Sequence, residues 1–290
     1  MKKITKAVIP AAGLGTRMLP IAYAVPKEML PIVDLPAIYY LVEEAVNSGI
    51  TDVLIITNRG KESIEDFFDL SPEYISALTQ KGKITEAKRI SDIAKMANIH
   101  FIRQKEANGL AGAVKCAEAF VSGEPFAVLY GDDVIFSKTP VCRQLMKAYE
   151  RYGKAVAGVK RVPREELKKY CSLKVEPLGD EIFSVSDMIE KPRENEEFSD
   201  LAILGRVILT PEIFERIDKL ERGAGGEYQL TDAMAALARD KGMTAVVFEG
   251  ERYDLGSKLG FLKANVCRAL QHEEVKEDFR EFLEKLSDKL

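Results

Sequence analysis

The chain has 290 residues, 46% of them apolar, with four cysteines, two histidines and a formal net charge of −4. That length suffices for one substantial core, read here as a single domain over residues 1–290, and the near-balanced charge leaves no basic field of the kind that gathers nucleic acid. No uninterrupted apolar stretch approaches the roughly 20 residues that cross a bilayer, and Cys116, Cys142, Cys171 and Cys267 with His100 and His272 lack zinc or disulfide spacings, so no membrane partner and a reducing, cytoplasmic setting are expected.

In chain order, Lys6 to Pro10 is the first strand. It follows Lys2 and Lys3 but contains Pro10 and reaches Arg17 without a cleavage pattern, which argues against a secretion signal. It runs into Gly13-Leu14-Gly15-Thr16-Arg17, a glycine turn beside fixed positive charge, with Pro26-Lys27-Glu28 soon after. Glycines there let backbone N–H groups face an anion, and Arg17 and Lys27 add charge, so a nucleoside triphosphate suits the loop. The dinucleotide fingerprint is excluded because Met18 stands where a third glycine or alanine is needed. The Walker loop is excluded because Gly15 precedes Thr16-Arg17 rather than Lys-Ser/Thr.

A helix over Ile38 to Ser48, a strand over Asp52 to Thr57 and a helix over Glu62 to Phe68 follow, an alternation that predicts an α/β fold with a mainly parallel, doubly wound sheet. Residues 70–98 read as one or two helices lying over that sheet. Next come a strand over Ile99 to Arg103, a helix over Gly112 to Phe120, and a strand over Pro125 to Tyr130 that ends in Gly131-Asp132-Asp133. Both the acidic turn and the glycine loop follow strands, so they should face one crevice at the carboxyl edge of the sheet. Strands at Ala155 to Val159, Ile182 to Ile189 and Ala202 to Leu209 are expected, then a helix opening near Gln229-Leu230-Thr231-Asp232 and a last strand over Thr244 to Phe248. From 267 onward a helical tail carries Val275, Phe279, Phe282 and Leu286 at helical steps, packed on the domain or used for self-association.

At the strand ends stand Arg17, Lys27 and Lys191 against Asp132, Asp133 and Asp254. Close carboxylates repel, and a hard cation such as Mg2+ relieves that while bridging phosphate oxygens. No nucleophile triad is present, so direct in-line nucleotidyl transfer is the economical reaction. A phosphate attacking group, mostly dianionic near neutral pH, needs alignment and charge cancellation rather than a general base. Singly, each motif has a plainer reading: Gly-Asp-Asp as a turn, Glu190-Lys191-Pro192 as a strand end stopped by proline, Gly223 to Glu227 as a flexible turn before a helix capped by Thr231 or Asp232.

Together, Ala11 to Arg17, Pro26 to Pro31, Gln104-Lys105-Glu106, Gly131-Asp132-Asp133, Glu190-Lys191-Pro192, Gly226 to Asp232 and Tyr253-Asp254 resemble the sugar-1-phosphate nucleotidylyltransferases from about Lys6 to about Leu270. The branch using UTP and glucose 1-phosphate is the most similar. The resemblance implies a Rossmann-like nucleotidyltransferase fold with a mixed, mainly parallel sheet, Mg2+ as cofactor, UTP and a sugar 1-phosphate as substrates, and a homodimer or homotetramer. By motif, it implies Ala11, Ala12, Gly13 and Gly15 along the nucleotide, Arg17 on the leaving pyrophosphate, Lys27 on phosphates, and Gln104 and Gly109 at the pyrimidine edge. It places Asp132 and Asp254 on the metal, Glu190 on sugar hydroxyls, Lys191 on the sugar phosphate, and Glu227 with Tyr228 and Gln229 along the sugar wall.

The chain departs from the family where Gly109-Leu110-Ala111-Gly112-Ala113-Val114 stands for the usual Gly-Leu-Gly-His-Ala-Val, and where Tyr170-Cys171-Ser172 puts a side chain beside the expected sugar position. Ala22-Tyr23, Val207 and Ser257 also differ. These leave open dTTP or another hexose 1-phosphate as substrate. A non-catalytic regulator that binds nucleotide sugar is the alternative from another class, against which the kept Arg17, Lys27, Asp132, Lys191 and Asp254 argue.

Overall fold

The computed structural model of the chain describes residues 2–223 and 226–289. Nine apolar runs pair into one sheet: Lys6–Pro10 (β1), Asp52–Thr57 (β2), Asn98–Arg103 (β3), Phe126–Leu129 (β4), Val156–Arg161 (β5), Cys171–Gly179 (β6), Ile182–Glu190 (β7), Leu201–Leu209 (β8) and Met243–Val247 (β9). The strand order is β3-β2-β1-β4-β8-β5-β9-β7-β6. Neighbours run parallel from β3 to β4 and between β5 and β9; β8, β7 and β6 join antiparallel, so the sheet is mixed.

The strands at the centre are mostly apolar because both sheet faces are covered. Every residue of β8 is buried. Alternate side chains serve opposite cores: Ala7, Ile9, Val53 and Ile55 face one, Val8, Leu54 and Ile56 the other. The first core is completed by the helices Ala37–Asn47 and Val141–Tyr152, the second by Leu110–Lys115 and Leu230–Lys241. Across the first core, Arg206 of β8 meets Glu44, its Nε and Nη2 donating to the carboxylate at 2.8–3.1 Å with both side chains buried.

Several expected elements shift. Residues 70–98 form two helices, Pro72–Gln80 and Ile84–Ala94, in which Ala87 alone is buried, so they stand more in solvent than a layer lying over the sheet. The helix expected over Gly112 to Phe120 begins earlier and is broken into Leu110–Lys115 and Glu118–Val121. Its start is fixed by Gly109, whose φ of 106° only glycine adopts readily. Absent from the expectations are the helix Val141–Tyr152, the strand β6, the helix Lys258–Ala269, and a two-stranded ribbon in which Asp133–Phe136 pairs antiparallel with Glu251–Asp254.

Residue 267 lies inside the helix Lys258–Ala269, and the final helix, Lys276–Ser287, buries none of its residues. Its apolar row is not seated in the core: Val275, Phe282 and Leu286 are exposed, as are Leu259, Leu262 and Val266 of the preceding helix. Of the glycine-rich turn at 223–227, Ala224 and Gly225 lie outside the described residues; the following helix starts at Leu230 with Gln229 as its cap, and neither Thr231 nor Asp232 caps it. Among the described residues no helix is long and apolar enough to cross a membrane.

Candidate active site

The acidic turn is built by close backbone approach. At Gly131 a Cβ would sit 2.4 Å from the Pro10 carbonyl oxygen, which locks the end of β4 against the end of β1. The ribbon then brings a segment from the middle of the chain against one from near its end, pairing Asp254 opposite Asp133, and the Leu255 N–H donates to the Asp132 carbonyl at 2.8 Å. The adjacent aspartates differ sharply. Asp133 is buried and takes the Arg252 Nε hydrogen bond at 2.6 Å, while Asp132 and Asp254 stay partly open. Burial pushes the Asp133 carboxyl up despite Arg252.

Gly205 underlies this turn at φ 76°, where a Cβ would lie 2.6 Å from that of Asp133. Gly205→Ala is therefore expected to cost about 2 kcal/mol or more from left-handed strain and overpacking together, and to lower turnover by displacing the aspartates. Urea unfolding and steady-state rates on one preparation test this; unchanged values in both would refute it.

The basic partners come from the glycine loop. Gly15 takes φ 67° and starts the turn Thr16–Met18, whereas Gly13 has no such φ and instead leaves open space where a Cβ would stand. Arg17 bridges the two carboxylates, its Nη1 donating to Asp254 at 3.0 Å and its Nη2 lying 3.5 Å from Asp132. Lys27 Nζ donates to Asp132 at 2.6 Å. Burial acts to raise the Asp132 carboxyl, but Lys27 and Arg17 outweigh it and hold it low. Burial likewise acts to lower Lys27, and Asp132 and Glu28 outweigh that and keep the ammonium charged.

Beneath this group lies a second ion pair that the sequence reasoning missed. Lys61 Nζ donates to buried Glu28 at 2.8 Å and also to the Ala11 carbonyl, which fixes the floor of the loop. Asn58 Nδ2 donates to the Ala12 carbonyl at 2.8 Å. These contacts fix the backbone of Ala11 and Ala12, which runs on into Gly13 and Gly15.

Gln104 leaves the end of β3, its Nε2 donating to Asn108 Oδ1 at 2.9 Å and to the Gly109 carbonyl at 3.4 Å. The Asn108–Gly109 segment is zipped to Tyr228: the Tyr228 N–H donates to the Asn108 carbonyl at 2.8 Å and the Ala111 N–H to the Tyr228 carbonyl at 3.1 Å. A Cβ at Gly109 would fall 2.6 Å from that carbonyl oxygen and 2.9 Å from the Cβ of Glu227. Gln104 and Gly109 are therefore held beside Glu227.

Glu190 and Lys191 form a third group. Thr231 Oγ1 donates to Glu190 at 2.8 Å, Lys191 Nζ lies 3.5 Å from Glu190, and Lys191 takes a φ of 47°. No hydrogen bond or ion pair among the described residues joins them to Arg17, Lys27, Asp132 or Asp254. Between the groups stands Tyr130, whose hydroxyl is pushed up by burial and by Glu190, Cys171, Asp133 and Asp132 around it. Cys171, opposite Glu190 in the β6–β7 register, is buried, and its thiol is likewise pushed up by burial, with Glu190 and Asp232 near. Arg252 links two groups by donating to Tyr170 Oη at 3.1 Å, while the Tyr170 carbonyl accepts the Lys191 N–H at 2.8 Å. Tyr130 was findable, since it closes the strand before the acidic turn; Arg252, Thr231, Lys61 and Glu28 act through contacts that no local pattern reports.

Among the described residues no cluster of three or more His, Cys, Asp or Glu side chains could cage a metal. Two carboxylates bridged by a guanidinium nevertheless fit Mg2+, which is held by one or two protein carboxylates together with substrate phosphates.

A family model described as "Nucleotidyl transferase" matches residues 6–269. The chain belongs to the nucleotidyl transferase family. This nucleotidyl transferase is 50% identical over 283 residues, 98% of its own length and 95% of the relative's, to UTP--glucose-1-phosphate uridylyltransferase YngB of Bacillus subtilis (strain 168). It is also similar to a crystal structure of UDP-glucose pyrophosphorylase complexed with UDP-glucose, with a TM-score of 0.85 at 39% identity over 93% of this chain and all of that one. The UTP-bound UGPase of Acinetobacter baumannii matches with a TM-score of 0.90 at 34% identity, covering 98% and 99% of the two chains. The α/β nucleotidyltransferase fold expected from the motifs is the fold of this nucleotidyl transferase.

Proposed function

We propose that this nucleotidyl transferase moves the uridylyl group of UTP onto glucose 1-phosphate, giving UDP-glucose and pyrophosphate. An oxygen of the sugar phosphate attacks the α-phosphorus in line, the α–β anhydride bond breaks, and pyrophosphate leaves with the bonding electrons. The observation that carries this reading is the joining of Arg17, Lys27, Asp132 and Asp254 at one rim. Uridylyltransferase relatives similar over nearly the whole chain, and the UTP and UDP-glucose complexes of similar structures, support this choice of substrates.

Enzymes of this family generally use a divalent metal. Asp132 and Asp254 would hold it, and Mg2+ would supply charge that offsets the build-up on the attacked phosphate. Arg17, with an open side chain, steadies the departing pyrophosphate, and half-buried Lys27 neutralises phosphate charge without giving up its proton. Ala11, Ala12, Gly13 and Gly15 lie along the nucleotide, and Gln104 and Gly109 read the base. Glu190, oriented by Thr231, accepts sugar hydroxyls, Lys191 grips the sugar phosphate, and Cys171 and Glu227 line the sugar wall. Residues 1–290 act as one cytoplasmic domain, and the exposed apolar row from Leu259 to Leu286 is where a homodimer or homotetramer would bury surface.

Pyrophosphate release from UTP and from dTTP, each with glucose 1-phosphate and Mg2+ and with a no-sugar control, tests the reading. Strong sugar-dependent release with UTP supports it. Release with dTTP alone, or only with another hexose 1-phosphate, reassigns the substrate, a second reading that Gly112 and Cys171 keep open. Silence throughout favours a non-catalytic binder. Cys171→Gly is expected to lower KM for glucose 1-phosphate within about tenfold, the scale of one small group in a pocket, leaving KM for UTP unchanged. An unaltered sugar KM would mean that the thiol does not face the sugar.

A further inference from the structure

Gly112 stands where the family commonly has histidine, and the space is not empty. A Cβ on Gly112 would lie 1.8 Å from Asn108 Oδ1 and 2.6 Å from its Cγ, so the Asn108 side chain occupies the volume that a residue at 112 would need. That same Oδ1 accepts from Gln104 Nε2 at 2.9 Å, while the second acceptor of Nε2 is the Gly109 carbonyl at 3.4 Å. A backbone carbonyl accepts and never donates, so it fixes which end of the Gln104 amide is nitrogen. Both acceptors lie on the amide nitrogen. Gln104 Oε1 accepts no hydrogen bond among the described residues and is the free pole of the amide.

We infer that Asn108, admitted by Gly112, is a positioning residue that holds the Gln104 amide with its oxygen as the reading group, so that the nucleotide pocket selects a pyrimidine with a ring N–H at position 3. This rests on the proposed reading that Gln104 meets the base. The imide N3–H of uracil donates to a carbonyl oxygen. Cytosine presents a lone pair at the same place and would face Oε1 with like polarity, and turning the amide over would set its oxygen against the Gly109 carbonyl, which cannot donate. A hydrogen-bonding site rejects a mismatched analogue because its own polar group is left unpaired. Base choice is thereby carried by a locked side-chain amide, and the missing histidine is compensated from four residues upstream by a side chain that fills its volume.

Two substitutions reach the same state from opposite sides. Asn108→Ala removes the acceptor; Gly112→Ala adds a methyl group that expels the flexible Asn108 side chain and raises intrinsic helix propensity, so the fold is kept. For each, KM for UTP is expected to rise about tenfold and the UTP-over-CTP ratio of kcat/KM to fall about tenfold, with kcat and KM for glucose 1-phosphate unchanged. The double variant should be no worse than either single one, since both remove one interaction. Asn108→Asp keeps an acceptor at the same reach and should retain the UTP-over-CTP ratio. The inference is overturned if Asn108→Ala leaves that ratio intact, if the two substitutions add, or if Asn108→Asp loses the ratio as fully as alanine does. A wild-type protein that releases no pyrophosphate from UTP and glucose 1-phosphate overturns the proposed function and this inference with it, whereas an active wild type with indifferent variants overturns this inference alone.

Discussion

Asp132→Asn lowers sugar-dependent pyrophosphate release by about 10³-fold, equivalent to the several kcal/mol that a metal ion supplies at a phosphoryl transition state. The substitution keeps the shape of the side chain and removes one of the two charges that would hold the cation. It also loosens Lys27, whose ammonium donates to Asp132 at 2.6 Å. The loss should appear in kcat more than in KM for UTP, because Gln104, Gly109 and the Ala11 to Gly15 rim are untouched. Thermal stability should fall less than in Asp133→Asn, since Asp132 is partly open and Arg17 retains Asp254. Asp133→Asn is the contrasting control: it removes the charge that Arg252 faces in a buried site and should lose stability as well as rate. Near-normal turnover in Asp132→Asn would discard the metal assignment.

The second large effect is on stability and lies away from the substrates. Glu44→Gln or Arg206→Met is expected to cost about 3–5 kcal/mol, because either leaves a charge uncompensated in the core. Arg206 is 1% exposed, and Glu44 receives both its Nε and Nη2 together with the Cys142 N–H at 3.0 Å. Replacing both partners with apolar residues of similar volume should recover most of that loss, since the desolvation of two charges is then avoided. Urea denaturation of the three variants decides it. Losses below about 1 kcal/mol for the single variants would place the pair in the class of solvated surface bridges.

Much of the architecture was legible because local patterns dictate it. β1, β2 and the helix Glu62–Phe68 lie where the apolar alternation put them, and the glycine loop and acidic turn both sit at carboxyl ends of neighbouring strands. What could not be read is what depends on distant pairing. Asp254 is grouped with Asp132 as a strand-end carboxylate, and paired with it on a metal only by family likeness; the physical cause of their meeting is the ribbon between Asp133–Phe136 and Glu251–Asp254, whose strands are too short to announce themselves. Arg252 and Thr231 orient Asp133 and Glu190 across elements remote in sequence, so no spacing rule marks them. Gly112 was legible as a departure, but the side chain of Asn108 in its place was not, because rotamers answer to packing. The helix Val141–Tyr152 is a different case. Its buried Val141, Leu145, Met146, Ala148 and Tyr149 and its left-handed Gly153 stop follow ordinary helical rules.

The same ribbon has a bearing on how the protein is made. Its two strands come from the middle and from near the end of the chain, so while the ribosome is still adding the last segments, Asp132 has no Asp254 beside it and Arg17 lacks its firmest anchor. A chain that stops short of this segment holds only half of the acidic pair. Catalytic competence is thereby deferred until the segment that carries Asp254 has been made.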